Sequence, residues 1–238
     1  MHRRAAIARA YHREVPDQLN LSLTGDVARL PRTLRPMLPR SAEAPFDSSD
    51  HVFEPNWGGR RVLAFIEPGR AGKPSLRLLD AAGQDLAPRL PELAYIVDLV
   101  GEPPAILDGE LVVPDRSGRM DEDALAARLA DGQTAGSSPV YLVFDLLWAG
   151  GRPLIAQPLL KRRERLAKVV TPSPELVVVP GVVSDGLELH FAVAQQGLAG
   201  LRRDPAQPGQ VPLHLVPDPI AAPTRPVLAL IQRLPFDD

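Results

Sequence analysis

The sequence predicts an α+β fold of antiparallel sheets with flanking helices. Its 238 residues are 45% hydrophobic, which is enough to bury a sizeable core. Candidate strands and amphipathic helices follow one another without the regular alternation that a doubly wound parallel sheet requires. Two of the candidate strands are joined by a turn rich in glycine and proline, as in an antiparallel hairpin. Together these observations favour a mixed α+β domain.

The first half of the chain contains this hairpin and a run of helical spacing. Apolar residues predict strands over residues 61–67 and 75–80, and the turn 68–74 lies between them. From residue 90 to residue 100, apolar side chains recur at helical spacing. Pro91 falls in the first turn of this run, where proline is tolerated.

The second half of the chain mixes further strands and helices. Strands are predicted at residues 105–113, 140–147 and 176–179. Helices are predicted at residues 121–130, 158–170 and 185–196. Gly109 interrupts the first of these strands and Pro114 ends it. Acidic residues in the first turn of the first helix suit the helix dipole, and short strands broken by prolines are expected toward the C-terminus.

Composition limits the classes of function and location. The net charge of the chain is −2. The chain has no cysteine, which rules out disulfides and thiolate metal sites and favours a cytoplasmic protein. No run approaches the roughly 18 apolar residues that a membrane helix needs, so we expect no membrane contact. A dedicated nucleic-acid binder usually has a basic excess. Here basic residues cluster only locally, and we interpret the cluster at 161–165 as the solvated face of a helix.

Residues 54–61 read Glu-Pro-Asn-Trp-Gly-Gly-Arg-Arg. They resemble the nucleotide-attachment motif of ATP-dependent DNA ligases, Glu-x-Lys-x-Asp-Gly-x-Arg, whose lysine attacks the α-phosphate of ATP. Asn56 stands at the lysine position and Gly58 at the aspartate position. An amine becomes a nucleophile when its site lowers its pKa, whereas the nitrogen lone pair of an amide is delocalised into its carbonyl. The resemblance therefore implies a ligase frame without its reacting atom.

The resemblance to this family extends along the chain. Further segments similar to bacterial end-joining ligases, in the family's order and spacing, lie at residues 34–38, 44–47, 106–112, 140–147 and 158–166. The match covers residues 34 to 209 and implies the nucleotidyltransferase domain of ligases and mRNA-capping enzymes, where the nucleotide lies between two sheets. We expect an extension at 1–30, the ligase-like domain at 31–216 and a tail at 217–238. About 25 residues follow the last match, too few for a five-stranded barrel, so we expect no OB-fold domain.

The departures from the family are concentrated at charged positions. Residues 196–201 lie where the family has its fourth motif, Glu-Gly-x-Val-x-Lys, and Ala199 stands at the glutamate position. We interpret the segment that carries the lysine as shortened or lost. The fifth motif supplies two lysines, and residues 208–215 contain none. The only lysines in the chain are Lys73, Lys161 and Lys168. Stabilising a reacting phosphate requires fixed cations, so these correlated losses indicate an abandoned reaction.

The resemblance assigns a set of nucleotide-binding remnants, which are Glu54, Asn56, Arg61, Glu110, Phe144, Arg202 and Arg203. Glu110, beside Asp108, could hold a divalent ion, or the Asp-Gly-Glu sequence could be a strand bulge left by ancestry. Phe144 could stack on adenine or be an ordinary core residue. Arg61 is expected to contact ribose or phosphate, with an exposed strand residue as the alternative. Arg202 and Arg203 could still meet phosphate, and Trp57 is expected to hold the motif loop in shape.

Three hypotheses of function follow. The first is a catalytically inactive ligase-like domain that assists DNA end joining through contacts with DNA ends or repair proteins. The second is a nucleotide-sensing pseudoenzyme that binds ATP or AMP with Mg²⁺ through Phe144, Glu110 and Arg61. The third is an active nucleotidyltransferase with a relocated lysine, for which none of the three lysines is well placed.

Overall fold

The computed structural model describes residues 29–37, 44–69, 73–116, 118–130 and 138–196, and the backbone of 40–41, 131, 200–205 and 213–215. The predicted N-terminal extension, except for its last residues, and the predicted C-terminal tail lie outside these ranges. The domain limits 31–216 therefore remain a prediction. Within the described ranges, no helix is long and apolar enough to cross a membrane.

The described residues form an α+β domain. Its strands are β1 (Arg40–Ser41), β2 (Ser48–Asn56), β3 (Arg60–Glu67), β4 (Ser75–Asp80), β5 (Ala105–Val112), β6 (Val140–Ala149), β7 (Arg152–Pro153), β8 (Leu176–Val178), β9 (Val182–Ser184), β10 (Gly200–Pro205) and β11 (Leu213–Leu215). Its α-helices are α1 (Glu122–Asp131), α2 (Leu159–Val169) and α3 (Gly186–Gln195), and two 3-10 helices span Ala87–Arg89 and Pro91–Leu99.

The strands form two sheets. The first has the order β1-β11-β10-β2-β9, and the second has the order β4-β3-β5-β6-β7 with β8 beside β6. Pairing is antiparallel throughout the described strands except between β1 and β11 and between β6 and β8. The predicted hairpin is confirmed, since β3 and β4 pair from Val62 opposite Asp80 to Glu67 opposite Ser75. Antiparallel sheets with flanking helices are thus the architecture of this chain.

The 3-10 helix Pro91–Leu99 differs from the α-helix that its spacing suggested. Leu90, Leu93 and Ile96 are completely buried, and they lie three residues apart. This spacing fits a helix with three residues per turn, in which every third side chain shares a face. The completely buried side chains therefore follow the period of the tighter helix.

The sequence pattern did not predict four strands, which are β1, β2, β7 and β9. Strand β2 contains Pro55 and lacks regular alternation, so we expected the motif there to lie in a loop. Strand β9 is only three residues long. Strand β10 is one of the short strands expected toward the C-terminus, and it pairs with β2 from Gly200 opposite Asn56 to Pro205 opposite His51.

The six-stranded sheet separates three apolar clusters. One face packs on the 3-10 helices, α1 and α2, through a cluster that includes Val62, Leu107 and Tyr141. The opposite face carries two smaller clusters, one around Phe53 and Phe144 and one around Phe65 and Trp148. The polar residues of the candidate site lie on this second face.

Candidate functional site

Three of the predicted site residues meet on one face of the six-stranded sheet. Alternate residues of a strand share a face, which groups Arg61 of β3 with Asp108 and Glu110 of β5 and with Phe144 of β6. The register places Arg61 opposite Glu110, and Glu110 opposite Leu142. The result is a polar band beside the apolar cluster of Phe144. The structure therefore brings Arg61, Glu110 and Phe144 together on one face, and their role in nucleotide binding stays a prediction.

Arg61 is held by two contacts within this band. Its Nε donates to Asp108 Oδ1 at 2.6 Å and its Nη2 to Asp108 Oδ2 at 2.7 Å. Its guanidinium carbon lies 4.3 Å from the ring centroid of Phe144, in a cation–π arrangement. The side chains of Arg61 and Asp108 are only 15% and 7% exposed. The alternative of an exposed strand residue is therefore wrong.

The free energies of these contacts differ in size. Removing one partner of a buried, hydrogen-bonded ion pair costs about 3–5 kcal/mol, because the other charge stays buried. A cation–π contact contributes about 0.5–2 kcal/mol, depending on its desolvation. The bidentate pair with Asp108 is thus the costlier of the two contacts to break, and it holds Arg61 in position.

Glu110 is engaged with the turn that follows Asn56. Its Oε1 accepts the backbone N–H of Gly59 at 2.7 Å. A Cβ atom on Gly59 would lie 2.1 Å from the carbonyl oxygen of Leu111, so only glycine allows this approach. Glu110 therefore fixes the turn against β5, and its role in metal binding stays a prediction. Within the described residues, no three His, Cys, Asp or Glu side chains are grouped closely enough to hold a metal ion.

Asn56 ends strand β2 and faces its own turn. Its Oδ1 accepts the N–H of Gly58 at 3.2 Å, and Gly58 has a φ of 74°, in the region that glycine adopts without strain. Trp57 is buried in the apolar cluster of Phe144, as expected for a residue that holds the turn in shape. The side chain that the sequence resemblance assigns to the position of the family's nucleophile thus contributes a local hydrogen bond.

Glu54 forms a buried ion pair that the sequence did not reveal. It is 1% exposed, and its Oε1 accepts a hydrogen bond from Nη2 of Arg163 on α2. Arg162, the neighbour of Arg163, makes a bidentate pair with Asp145. The interpretation of 161–165 as a solvated face is therefore wrong for these two arginines, although it holds for Lys161, which pairs with the exposed Glu164.

A spacing signal for these arginines exists in the sequence. Arg162 and Arg163 lie three and four residues after Leu159 and the same distances before Leu166, both of which are buried. Residues at these distances share a helix face. The two arginines therefore flank the buried stripe of α2 and reach acidic residues of β6 and β2.

Arg202 and Arg203 lie on β10 beside the motif strand. In the register of the five-stranded sheet, Arg202 is opposite Glu54 and Arg203 is opposite Phe53. The structure describes their backbone only. Their proposed contact with phosphate stays a prediction.

Phe144 is 3% exposed and packs in a cluster with Phe53, Trp57 and Leu142. The surroundings are those of a core residue, with the guanidinium of Arg61 over the ring. The assignment of Phe144 as an adenine-stacking residue remains a prediction, and it requires that a base can reach the face of this ring.

The residues present do not fit the covalent nucleotide chemistry of the family. Asn56 offers no amine, Glu110 is bonded to the backbone of Gly59, and Arg61 is bonded to Asp108. The three lysines are all exposed. No step through ATP or Mg²⁺ follows from this arrangement.

A cavity of about 650 Å³ lies at a different place, between α2 and the connection from β8 to β9. Most of its described lining is apolar, with Val52, Leu160, Ala167 and Val179 among the lining residues. Arg163 lines it as well, so the ion pair with Glu54 lies at its wall. Arg61, Glu110 and Phe144 are not among the described lining residues.

The chain belongs to the family of ATP-dependent DNA ligase domains, whose family model matches residues 36–185. Among solved structures, it is similar to a mycobacterial DNA ligase D that was determined in complex with ATP and MES. The TM-score is 0.60 and the identity is 24%, over 77% of this chain and 60% of that one. The ligase domain of LigD from M. tuberculosis gives a TM-score of 0.59 over 76% of this chain and 58% of that one. These similarities establish the nucleotidyltransferase fold of a ligase domain.

Curated relatives point to the same family. The chain is 31% identical over 180 residues to the multifunctional non-homologous end joining protein LigD of Pseudomonas aeruginosa, covering 75% of this chain and 20% of that protein. It is 26% identical over 166 residues to the SPbeta prophage-derived DNA ligase-like protein LigB of Bacillus subtilis, covering 70% of this chain and 58% of that protein. This chain therefore spans only part of each relative's length.

Proposed function

We propose that this chain is a catalytically inactive ligase-like domain with an accessory role in DNA end joining. The proposal rests on Asn56, which the motif resemblance aligns with the adenylated lysine in a chain that belongs to the ligase family. Its amide has no nucleophilic lone pair, and its Oδ1 accepts the N–H of Gly58. The frame that would position a lysine is thus retained around a residue that cannot react.

The charges around Asn56 support the same conclusion. Transfer of a nucleotidyl group requires cations fixed at the phosphates. Arg61 is neutralised by Asp108 and Arg163 is neutralised by Glu54. These described arginines are therefore engaged in buried ion pairs, and a replacement for the missing lysines would have to come from elsewhere.

The proposed partners are DNA ends and DNA-repair proteins. This part of the proposal rests on the relatives, one of which is a multifunctional non-homologous end joining protein. With a net charge of −2, the chain is not a general polyanion binder, so we expect weak DNA contact unless a partner protein contributes. A role at DNA ends implies a cytoplasmic location in a bacterium, which the absence of cysteine also favours.

The proposal predicts that neither the natural chain nor its Asn56→Lys variant acquires AMP. A lysine alone would restore the nucleophile without the cations that hold the phosphates, so the rate of self-adenylation should remain at background. The measurement is the intact mass after incubation with ATP and Mg²⁺, with an active ligase of the same family as positive control. A mass increase by one AMP in the natural chain, mapped to Lys73, Lys161 or Lys168, would instead establish an active transferase.

The accessory role has its own test. Anisotropy titrations with nicked and blunt DNA duplexes, with and without an end-joining partner protein, should give equal affinities for the natural chain and Asn56→Ala. In this proposal the amide of Asn56 supports its own turn through the N–H of Gly58 and adds nothing to DNA contact. A loss of DNA binding in Asn56→Ala would mean that the former nucleophile position recognises the substrate.

A further inference from the structure

The contact between Arg61 and Phe144 has a consequence beyond catalytic inactivity. A protein that cannot transfer AMP could still bind it, so the proposed function leaves nucleotide binding open. We infer that the guanidinium of Arg61 occupies the ring face of Phe144 in place of a base, and that Asp108 is the positioning residue that keeps it there. In this arrangement the chain rejects adenine nucleosides.

The first step of the argument is geometric. A base that stacks on an aromatic ring needs a planar space next to the ring face. The guanidinium carbon of Arg61 is 4.3 Å from the ring centroid of Phe144, and the ring belongs to a residue that is 3% exposed. A planar group of this chain therefore lies where a base on that face would lie.

The second step concerns the strength of the attachment. Two nitrogens of Arg61, Nε and Nη2, both donate to the carboxylate of Asp108, at 2.6 and 2.7 Å. A base that displaced Arg61 would leave the carboxylate of Asp108, which is 7% exposed, without its cation. Separating the charges of Arg61 and Asp108 is far more costly in a buried site than in water. The stacking of one base does not offset this cost.

The third step is a comparison within the same sheet. Arg77 makes a bidentate pair with Glu67, at 3.0 and 2.7 Å, and its guanidinium carbon lies 4.7 Å from the ring centroid of Phe65. Arginine, carboxylate and phenylalanine are thus repeated with similar geometry. The Arg77 pair is more exposed, and nothing assigns a nucleotide to Phe65, so this second triad is a matched control.

The test is binding of adenosine, which has no phosphate and therefore isolates the stacking contact. The double variant Arg61→Ala/Asp108→Asn removes the internal group without leaving a buried unpaired carboxylate. We expect calorimetry to show no saturable binding to the natural chain. The double variant should bind adenosine saturably, with an affinity at least about tenfold above the detection limit set by the natural chain, the factor expected of one base–aromatic stack. Adding Phe144→Leu should remove the gain, and Arg77→Ala/Glu67→Gln should behave like the natural chain.

A second measurement uses the natural chain, in case the double variant does not fold. The side-chain Nε–H of Arg61, identified by its loss in Arg61→Lys, should give a slowly exchanging NMR signal that adenosine leaves unshifted. The inference is overturned if the natural chain binds adenosine and Phe144→Leu weakens that binding, or if a folded double variant gains no affinity. Failure of the proposed inactivity would appear separately, as covalent AMP in the intact mass.

Discussion

Replacement of Arg163 by alanine is expected to reduce the free energy of unfolding by about 3–5 kcal/mol. Glu54 is 1% exposed, and the substitution removes its ion-pair partner while leaving its charge buried. For a domain of this size the loss corresponds to a fall in melting temperature of roughly 6–20 °C. Urea denaturation at neutral pH measures it directly. Because α2 and β2 belong to different layers, the substitution also loosens the helix against the motif strand.

The same helix provides the control for this prediction. Lys161 pairs with Glu164, and both side chains are more than half exposed, so Lys161→Ala should change the stability by less than about 0.5 kcal/mol. Adding Glu54→Gln to Arg163→Ala removes the buried charge and should recover more than half of the loss. If Arg163→Ala and Lys161→Ala unfold at the same urea concentration, the pair between α2 and β2 contributes no more than a surface contact.

Local patterns predicted most of the fold because the strands and helices carry their own periods. Strand β4 and most of β3 followed from the hairpin, and α1, α2 and α3 from helical spacing and first-turn acids. Strand β2 was not predictable in this way, since neighbouring residues of the strand pack in different environments. Phe53 packs in a core cluster, whereas Glu54 pairs with a distant helix. Such a strand is specified by long-range contacts, and no local alternation records them.

The sequence identified candidate residues of the site, but it did not predict the contacts that these residues make. Resemblance to the ligase family identified Arg61, Glu110 and Phe144, and the sheet register brought them to one face. The partners of these residues were not foreseen. The folded backbone places Asp108 within hydrogen-bonding distance of the guanidinium of Arg61, and it places the N–H of Gly59 within reach of Glu110. The sequence alone does not show either pairing. Motifs thus predict which groups meet, and the structure decides what they bind.

Tyr141 connects the site to the core beneath it and predicts how the stability depends on pH. It is completely buried, and its hydroxyl lies 3.0 and 3.1 Å from the carbonyl oxygens of Val62 and Leu107. Burial raises the pKa of Tyr141 well above its ordinary value of 10, and the charge of Asp108 raises it further. The hydroxyl therefore stays protonated in the folded protein at a pH where it ionises in the unfolded chain.

The sign of the effect follows from this difference. Below about pH 10 both states hold the proton, so Tyr141 adds no pH dependence. Above pH 10 only the unfolded state loses it, and the stability should fall by up to about 1.4 kcal/mol per pH unit. Urea denaturation at pH 9, 10 and 11 measures this slope, which Tyr141→Phe should reduce at a cost of about 1 kcal/mol at neutral pH.

Tyr95 must be separated from Tyr141 in this measurement. Its pKa is also raised, first by burial and then by its hydrogen bond with Glu175. However, Tyr95 is 39% exposed, and water can stabilise its ionised form, so Tyr95→Phe should change the slope far less than Tyr141→Phe. An unchanged slope in Tyr141→Phe would show that the buried hydroxyl ionises without unfolding, which would require water to reach the centre of the six-stranded sheet. Since Asp108 faces Arg61 from the same sheet, such entry of water would also weaken the ion pair that holds Arg61 over Phe144.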